Sequence, residues 1–434
     1  MNRNVALFAL LAALYVVVGV FQSWNVALNI LNLGLISAVM ALGVNIQWGY
    51  AGLFNVGIMG FAALGGVAAM LVSVAPVPAA WSAGGLQMGL AALTLLLVGL
   101  AVFAVRRFTA GKLRTALTLV SVVGGYFLIR SQYDPAVDAI EAVESARYGF
   151  LGGLGLPIVL SWAVGGLFAA GAAWIVGKVA LGLRSDYLAI ATLGISEIII
   201  AVIKNEDWLT RGVKNVTGLP RPVPYEIDLQ TTDWFLALCE RLGQDAVEFS
   251  GIFVKLCYAG LFAIVLLAIL WLSERALNSP WGRMMRAIRD NRDAAEAMGK
   301  DVTRRHLQVF ILGSAVVGIA GAMLTTLDVQ LSPGTYNPLR YTFLIWVMVI
   351  VGGSGNNWGA VLGGFLIWFL WVEAEPIGLW LMDTVTSGMD EGSPLKANLL
   401  DAAPHLRLFC MGLILLLVLR FSPRGLIPER SGRI

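Results

Sequence analysis

The chain has 434 residues, 58% of them hydrophobic and 13% charged, with a net charge of +3 and a mean hydropathy of +0.79. Apolar runs as long as a bilayer crossing, roughly 20 residues, exclude a soluble globular domain. The positive balance is too small to imply a nucleic-acid partner and reads instead as topogenic charge in the loops of an all-α, polytopic membrane helix bundle.

The first residues, MNRN, precede an apolar run over Val5–Phe21. This resembles a signal sequence, but no small-x-small cleavage site follows, so residues 1–26 are expected to be an uncleaved first span. Residues 27–434 then form one transmembrane domain. Ala27–Val44 is its first crossing. The next stretch, Trp48–Gly66, carries Gly49, Gly52, Gly57, Gly60, Gly65 and Gly66 with Asn45 and Asn55 as polar insertions. Two readings stay open there: a broken or re-entrant backbone, tolerated at membrane depth only where protein or a wet cavity covers it, and close helix packing through small residues. Leu86–Val105 crosses again, and the basic Arg106–Arg114 marks the cytoplasmic side. Thr115–Ile129 returns outward to Arg130–Arg147, an expected external loop with Asp134, Asp138, Glu141 and Glu144. Pro157–Lys178 comes in and Tyr187–Ile203 goes out, the latter holding Thr192, Ser196 and Glu197 inside an apolar run. Residues 204–250 are an expected periplasmic loop with some structure of its own. Gly251–Leu272 leads inward again.

Asn278–His306, within an expected cytoplasmic loop over 274–306, is the most charged segment of the chain. Ser279 suits a helix cap and Pro280 its first position. Arg286–Asp290, Arg289–Asp293 and Arg292–Glu296 fall at i,i+4. Met285, Ile288, Ala295 and Met298 share another face, and Gly299 is a natural stop. The spacing predicts one short amphipathic helix on the cytoplasmic side, placed to receive force from a soluble partner.

Leu307–Leu327 then goes out. Tyr341–Val351 is too short to span unaided, and Gly352–Gly364 repeats the glycine theme with GxxxG spacings at Gly355/Gly359 and Gly359/Gly363. Phe365–Val372 completes that span. Residues 373–404 are a second expected periplasmic loop. His405–Leu419 returns, and Arg420, Arg424, Arg430 and Arg433 make the tail basic and internal. Loop parity gives about ten spans plus a re-entrant piece, or twelve spans, with both termini cytoplasmic. Each half contains one interrupted, glycine-rich segment. In transporters such pairs mark the substrate path.

DYLAIATLGISEIII, the arginine-rich helix with DAAEAMG, VIVGGSGNNWGAVLGG and the closing SPRGLIP occur in that order. Together they resemble the LivM-type permease of branched-chain amino acid ABC importers, from about Ala27 to Pro428, with a less typical region around Arg106–Gly155. The resemblance implies an inner-membrane permease, in a bacterium, that works with a second, homologous permease, two cytoplasmic ATPases and a periplasmic substrate-binding protein. It implies that the 274–306 loop docks into the ATPase through Asp293, Ala294, Ala295 and Gly299, and the helix arginines Arg286 and Arg289 are candidates for the same contact. Cargo would be branched-chain or related small amino acids, with urea or short amides as the alternative within the family. Where the family has a Thr-Gly-Gly run, this chain has Thr210-Arg211-Gly212.

The residues support the same division of labour. Gly111-Lys112, Gly177-Lys178 and Gly299-Lys300 lack the Ser/Thr of a phosphate loop, so ATP and Mg are expected on partner subunits. No cofactor, metal or catalytic constellation is expected in this chain. That argues against a membrane-embedded enzyme. A stand-alone secondary carrier or channel is the rival of another class. Candidate path residues are Asn45, Asn55, Thr192, Glu197, Gly352 and Gly353. For Asn45, Asn55 and Thr192 the alternative is an interhelical hydrogen bond, and for Glu197 a structural partner, since an unpaired carboxylate in an apolar span costs roughly 2.5–3.5 kcal/mol. The alternative for the arginines is a solvated, internally paired face, and for Gly352, Gly353 and Gly355 it is backbone geometry alone.

Overall fold

A computed structural model describes residues 3–144, 148–387, 389 and 394–429. Its main helices are α1 (Arg3–Phe21), α2 (Trp24–Ala51), α3 (Ile58–Ser73), α4 (Leu86–Phe108), α5 (Gly111–Glu141), α6 (Ile158–Ala180), α7 (Ser185–Asn205), α8 (Ala246–Asn278), α9 (Pro280–Asp290), α10 (Arg292–Ala297), α11 (Val302–Asp328), α12 (Pro338–Gly352), α13 (Asn357–Thr386) and α14 (Leu406–Phe421). Among the described residues nine helices are long and apolar enough to cross a membrane, with α3 and α12 as shorter apolar companions. The chain is therefore a multi-pass membrane protein. At 1.5 Å per residue, α3 and α12 reach only about 24 and about 22 Å, short of a hydrocarbon core of roughly 30 Å.

α2 is apolar on all sides and lies at the centre, buried along most of its length by α8, α11 and α13, with α1 and α12 beside them. A helix without a polar stripe has to be enclosed by others or by lipid. Small residues on α3, α6 and α11, including Gly65, Gly165 and Gly318, let those three backbones touch. α4 and α5 pack mainly on each other and present nearly all of their apolar surface outward.

Two short pairings gather the connections at one end of the bundle. Pro76 bridges Gly152, and β1 (Val216–Thr217) pairs antiparallel with β2 (Gln330–Leu331), Val216 opposite Leu331. The stretch between α7 and α8 also carries short helices, Asp207–Thr210, Glu226–Gln230 and Asp233–Leu242, so it does have structure of its own. The opposite end holds α9, α10 and the C-terminal segment as far as Glu429.

Several elements run differently from the sequence expectation. α5 continues through the acidic Arg130–Glu141 stretch, where Arg130 pairs with Asp134 at 2.8 Å one turn on. Acidic residues mark the polar end of such a helix without stopping it. Glu144 follows the helix, and residues 145–147 lie outside the description. α13 likewise runs on to Thr386, beyond the expected end at Val372. It stays helical because its carboxylates find partners: Gln22 Nε2 donates to Glu373 Oε2 at 2.6 Å, and Arg407 pairs with Glu375. The single amphipathic helix expected after Ser279 is two. Asn291 adopts an extended conformation and its side chain accepts from the Ala294 N–H, ending α9 and capping α10. Arg430 and Arg433 fall outside the described residues.

Candidate functional site

Both glycine-rich segments are broken helices, and the two breaks meet. α2 ends at Ala51, Gly52 turns left-handed, and the chain stays non-helical until α3 starts at Ile58. α12 ends at Gly352 and α13 starts at Asn357. Close packing is present as well as breakage: a methyl group on Gly49 would lie 2.6 Å from the Gly355 nitrogen.

A break leaves the first N–H groups of the next helix without intrahelical acceptors. Here side chains accept from them, all but Asn356 buried. Asn45 Oδ1 accepts from the Gly355 N–H at 2.8 Å, and Asn356 Oδ1 from Trp358 and Gly359. Asn55 Oδ1 accepts from the Gly57 N–H at 2.8 Å, Thr192 Oγ1 from Val56 at 3.0 Å, and Ser196 Oγ from Gly60 at 2.8 Å. The remaining polar atoms join the two breaks and their neighbours. Asn45 Nδ2 donates to Asn357 Oδ1 at 3.1 Å, which also accepts from the Tyr50 hydroxyl, while Asn357 Nδ2 donates to Glu274 Oε1 at 3.0 Å. Asn55 Nδ2 donates to Gln47 Oε1 at 2.9 Å, Gln47 Nε2 donates to Phe310 O and Ser314 Oγ, and the Trp346 indole donates to Asn55 O at 3.1 Å.

Asn45, Asn55 and Thr192 are all fully buried. Each uses its side-chain polar atoms on backbone or on another side chain, the interhelical alternative to substrate contact. Gly353 has φ +120°, open to glycine alone, and a methyl group there would sit 2.3 Å from Ile427 O. The C-terminal segment runs past it, with the Leu426 and Ile427 N–H groups donating to Val351 O and Gly352 O at 2.8 Å each.

α9 is bolted to this junction. Met285 and Ile288 are buried beneath it. Arg289 Nη1 donates to Gly49 O, the last turn of α2, and pairs with Glu429 Oε2 at 3.0 Å. Arg286 stands 3.9 Å from Glu429 Oε1. Of the three anticipated i,i+4 pairs only Arg292–Glu296 forms, at 3.1 Å. Arg286 turns inward to the tail, and Arg289 divides itself between the tail and its neighbour Asp290, whose Oδ1 accepts from its Nε at 3.1 Å. Ala295 is buried, whereas Asp293, Ala294, Met298 and Gly299 face outward. Glu197 stands apart from the junction. It is exposed on α7 and has neither a hydrogen bond nor an ion pair among the described residues.

The model of the branched-chain amino acid transport system permease component matches residues 143–419, well over half of the chain. The chain belongs to that family. Its likeness to LivM proteins is explicit. The permease is 27% identical over 324 residues to a probable branched-chain amino acid transport permease protein LivM of Methanocaldococcus jannaschii, covering 74% of this chain and 81% of that one. It is 28% identical over 237 residues to the high-affinity branched-chain amino acid transport system permease protein LivM of Escherichia coli, covering 53% of each. A shorter match, 31% over 104 residues, 24% of this chain and 32% of the relative, is to a probable permease protein LivH of M. jannaschii. No solved structure matches.

Sequence reasoning missed the permease's Glu429, Glu274, Gln47, Tyr50 and Asn357. Glu429 lies far along the chain from its arginine partners and carries no periodic signal. The two adjacent asparagines, Asn356 and Asn357, inside a glycine run were the available clue. Arg211, where the resemblance leads one to expect glycine, has φ +61°, a left-handed position, and its Nη1 donates to Asn215 O.

Proposed function

We propose that this chain is the membrane subunit of an ATP-driven importer for branched-chain or related small amino acids. On this reading the α9–α10 end and both termini face the cytoplasm of a bacterial inner membrane. The basic 106–114 connection, Arg184, the α9–α10 arginines, Arg420 and Arg424 supply the positive charge of that side. A second homologous permease, two ATPase subunits holding ATP and Mg2+, and a periplasmic binding protein complete the transporter.

One observation carries the proposal. A charged helix pair, exposed on its outer side, is wired on its inner side into the junction of two broken helices. Asp293, Ala294, Met298 and Gly299 offer the outer surface to an ATPase groove. Arg286, Arg289 and buried Ala295 hold the pair against the bundle. Nucleotide-driven displacement of α9 then pulls on the ends of α2 and α12 together. Asn45, Asn55, Thr192, Gly352 and Gly353 set the shape of the path wall. Glu197 faces the partner permease or a wet path, because lipid against it costs roughly 2.5–3.5 kcal/mol.

Reconstitution with the partner subunits tests this. ATP-dependent uptake of labelled leucine, isoleucine or valine, absent with a non-hydrolysable analogue, is the expected result. Uptake driven by an ion gradient through the purified chain alone would establish the stand-alone carrier instead. ATP-driven uptake of urea with no amino-acid uptake would move the substrate to the short-amide class.

A further inference from the structure

The bundle holds the α4–α5 hairpin chiefly at one end. Near the Pro76–Gly152 bridge, Gly84 packs against Ala136 and Ile140, and the Trp208 indole donates to the Tyr133 hydroxyl at 2.8 Å. From there α4 runs about 33 Å between Leu86 and Phe108. That length carries the connection between α4 and α5 across a hydrocarbon core of roughly 30 Å, to the side of α9. Along the way the two helices pack mainly on each other. A methyl group added at Gly89, Gly99, Gly111 or Gly124 would meet nothing within 4 Å. The far end of the hairpin thus stands at headgroup depth with little of the bundle against it.

That end is strongly basic. It carries Arg106, Arg107, Lys112 and Arg114, and the chain has no acidic residue before Asp134. Among the described residues, none of these four side chains makes an ion pair or a hydrogen bond. Between the last turn of α4 and the first turns of α5 lies a cleft of about 480 Å3, lined by Arg106, Arg114, Thr115, Thr118, Leu119 and Val122. Its wall is graded, from guanidinium groups through hydroxyls to aliphatic side chains. A helical threonine ordinarily donates to a carbonyl one turn back, as Thr94 and Thr109 do here. Thr115 and Thr118 do not, which leaves both hydroxyls available to something in the cleft.

The grading selects an amphiphile. A free phosphate would leave the aliphatic wall unused, and a zwitterionic headgroup would bring its own cation against two arginines. An apolar void of about 150 Å3 takes a molecule the size of benzene, so about 480 Å3 takes roughly nineteen heavy atoms. That suits a phosphodiester headgroup with its glycerol backbone and leaves the acyl chains outside, along the exposed apolar faces of the hairpin. We propose that this cleft binds an anionic phospholipid. Its phosphate sits between Arg106 and Arg114, Thr115 and Thr118 donate to it, and its chains descend past Leu119 and Val122. The bound lipid braces the free end of the hairpin. None of this depends on what the permease carries.

The test is native mass spectrometry of the purified full chain in detergent, titrated with dioleoyl phosphatidylglycerol or dioleoyl phosphatidylcholine. One tightly held phosphatidylglycerol per chain is expected, preferred over phosphatidylcholine by about tenfold or more. Each cation near an anionic headgroup is worth about fivefold in binding, so Arg106→Gln with Arg114→Gln should weaken it about 25-fold. Arg184→Gln with Arg420→Gln removes as much charge outside the cleft and should leave the affinity unchanged. Should the first pair insert poorly, Ala110→Lys added to it returns charge to the connection outside the cleft, and the same weakening is expected. Glycerophosphoglycerol, the headgroup without acyl chains, should not displace the lipid at equal concentration. The inference is overturned by equal affinity for the two lipids, by wild-type affinity in the Arg106/Arg114 pair, by equal weakening in the Arg184/Arg420 pair, or by displacement with the deacylated headgroup. Unchanged lipid affinity together with lost co-purification of the ATPase in the Arg106/Arg114 pair would assign the cluster to an acidic protein surface instead.

Discussion

Removal of the Arg289 side chain tests how α9 is held to the bundle. Arg289 and Glu429 are 24% and 25% exposed at their side chains and stand 3.0 Å apart, and the same guanidinium donates to Gly49 O. Exposed ion pairs contribute about 0.2–1 kcal/mol, and breaking a fully buried pair costs about 3–5 kcal/mol. A quarter-exposed pair lies between these limits. Arg286, 3.9 Å from Glu429, takes up part of the abandoned carboxylate's charge. The expected loss for Arg289→Ala is therefore about 1–2 kcal/mol, which raises local opening of α9 by roughly 5–30-fold. Hydrogen–deuterium exchange of peptides covering residues 280–297 reads this directly, with α6 and α11 as internal references that should not change. Glu429→Gln should accelerate the same peptides less, because Arg289 keeps its bond to Gly49 O. The double variant should show coupling, since both changes remove one interaction. Unchanged exchange in Arg289→Ala, or effects that add to within about 0.5 kcal/mol, would refute the latch.

The outward face of α10 should be separable from its inward face. Asp293→Arg is expected to leave the chain folded and inserted while abolishing co-purification with the ATPase, and normal association would remove this surface from the coupling role. Ala295→Arg is a different experiment: its site is buried, so the helix pair itself should loosen, visible as faster exchange even without the ATPase. Gly353→Ala combines a forbidden φ of +120° with a methyl 2.3 Å from Ile427 O, and should lower stability by at least about 2 kcal/mol, read as a fall in thermal midpoint in detergent. A midpoint within error of wild type would show that the C-terminal segment yields freely. Asn55→Ala strands the Gly57 N–H and Gln47 Oε1, a loss of about 2–3 kcal/mol. Asn55→Asp keeps the acceptor for Gly57 and should retain part of it, and equal midpoints for the two variants would exclude the bracing role.

The positions of the crossings were legible because apolar length is a direct record of bilayer thickness. Their ends were less so. Acidic residues after Ile129 and after Val372 look like loop, yet each stretch stays helical where Arg130, Gln22 or Arg407 meets a carboxylate; Arg130 finds Asp134 one turn on, whereas Gln22 and Arg407 are brought to theirs by the fold. The glycine-rich stretches announced trouble for a helix without saying which kind. Breakage and close packing turn out to be one arrangement, since a broken chain at depth is tolerated only when another backbone, here Gly355 beside Gly49, comes close enough for side chains to satisfy it. The face of α9 was half legible. Its apolar side followed from Met285 and Ile288, but arginine at i,i+4 to aspartate is only a local option, and the tail's Glu429 outcompetes it from far along the sequence.

The hydrogen bonding determines what a displaced α9 would drag. Arg289 grips the last turn of α2 and the C-terminal segment at once. That segment is in turn bonded to Val351 and Gly352, the last turn of α12, by two 2.8 Å bonds. Asn45 closes the loop, reaching from α2 to Gly355 and Asn357 across the second break. A force on α9 therefore enters through the quarter-exposed Arg289 contacts and passes to the breaks through buried groups such as Asn45, Gly355 and Asn357, where water does not replace a lost partner and the cost of slippage is high. Continuous helices at these two places would have to tilt over their full length. Interrupted ones pivot at residues 52–57 and 353–356, leaving α3 braced against α6, α7 and α11. A cavity of about 180 Å3 lined by Ile36, Met59, Leu324 and Ile345 lies between α2, α3, α11 and α12, so its volume should follow the position of α9. Cross-linking α9 to the last turn of α2 through an engineered cysteine pair should then fix the labelling rate of a cysteine placed at Ile345, with or without nucleotide on the assembled complex. A rate that still changes with nucleotide would mean that the two ends of the bundle are coupled by some other route.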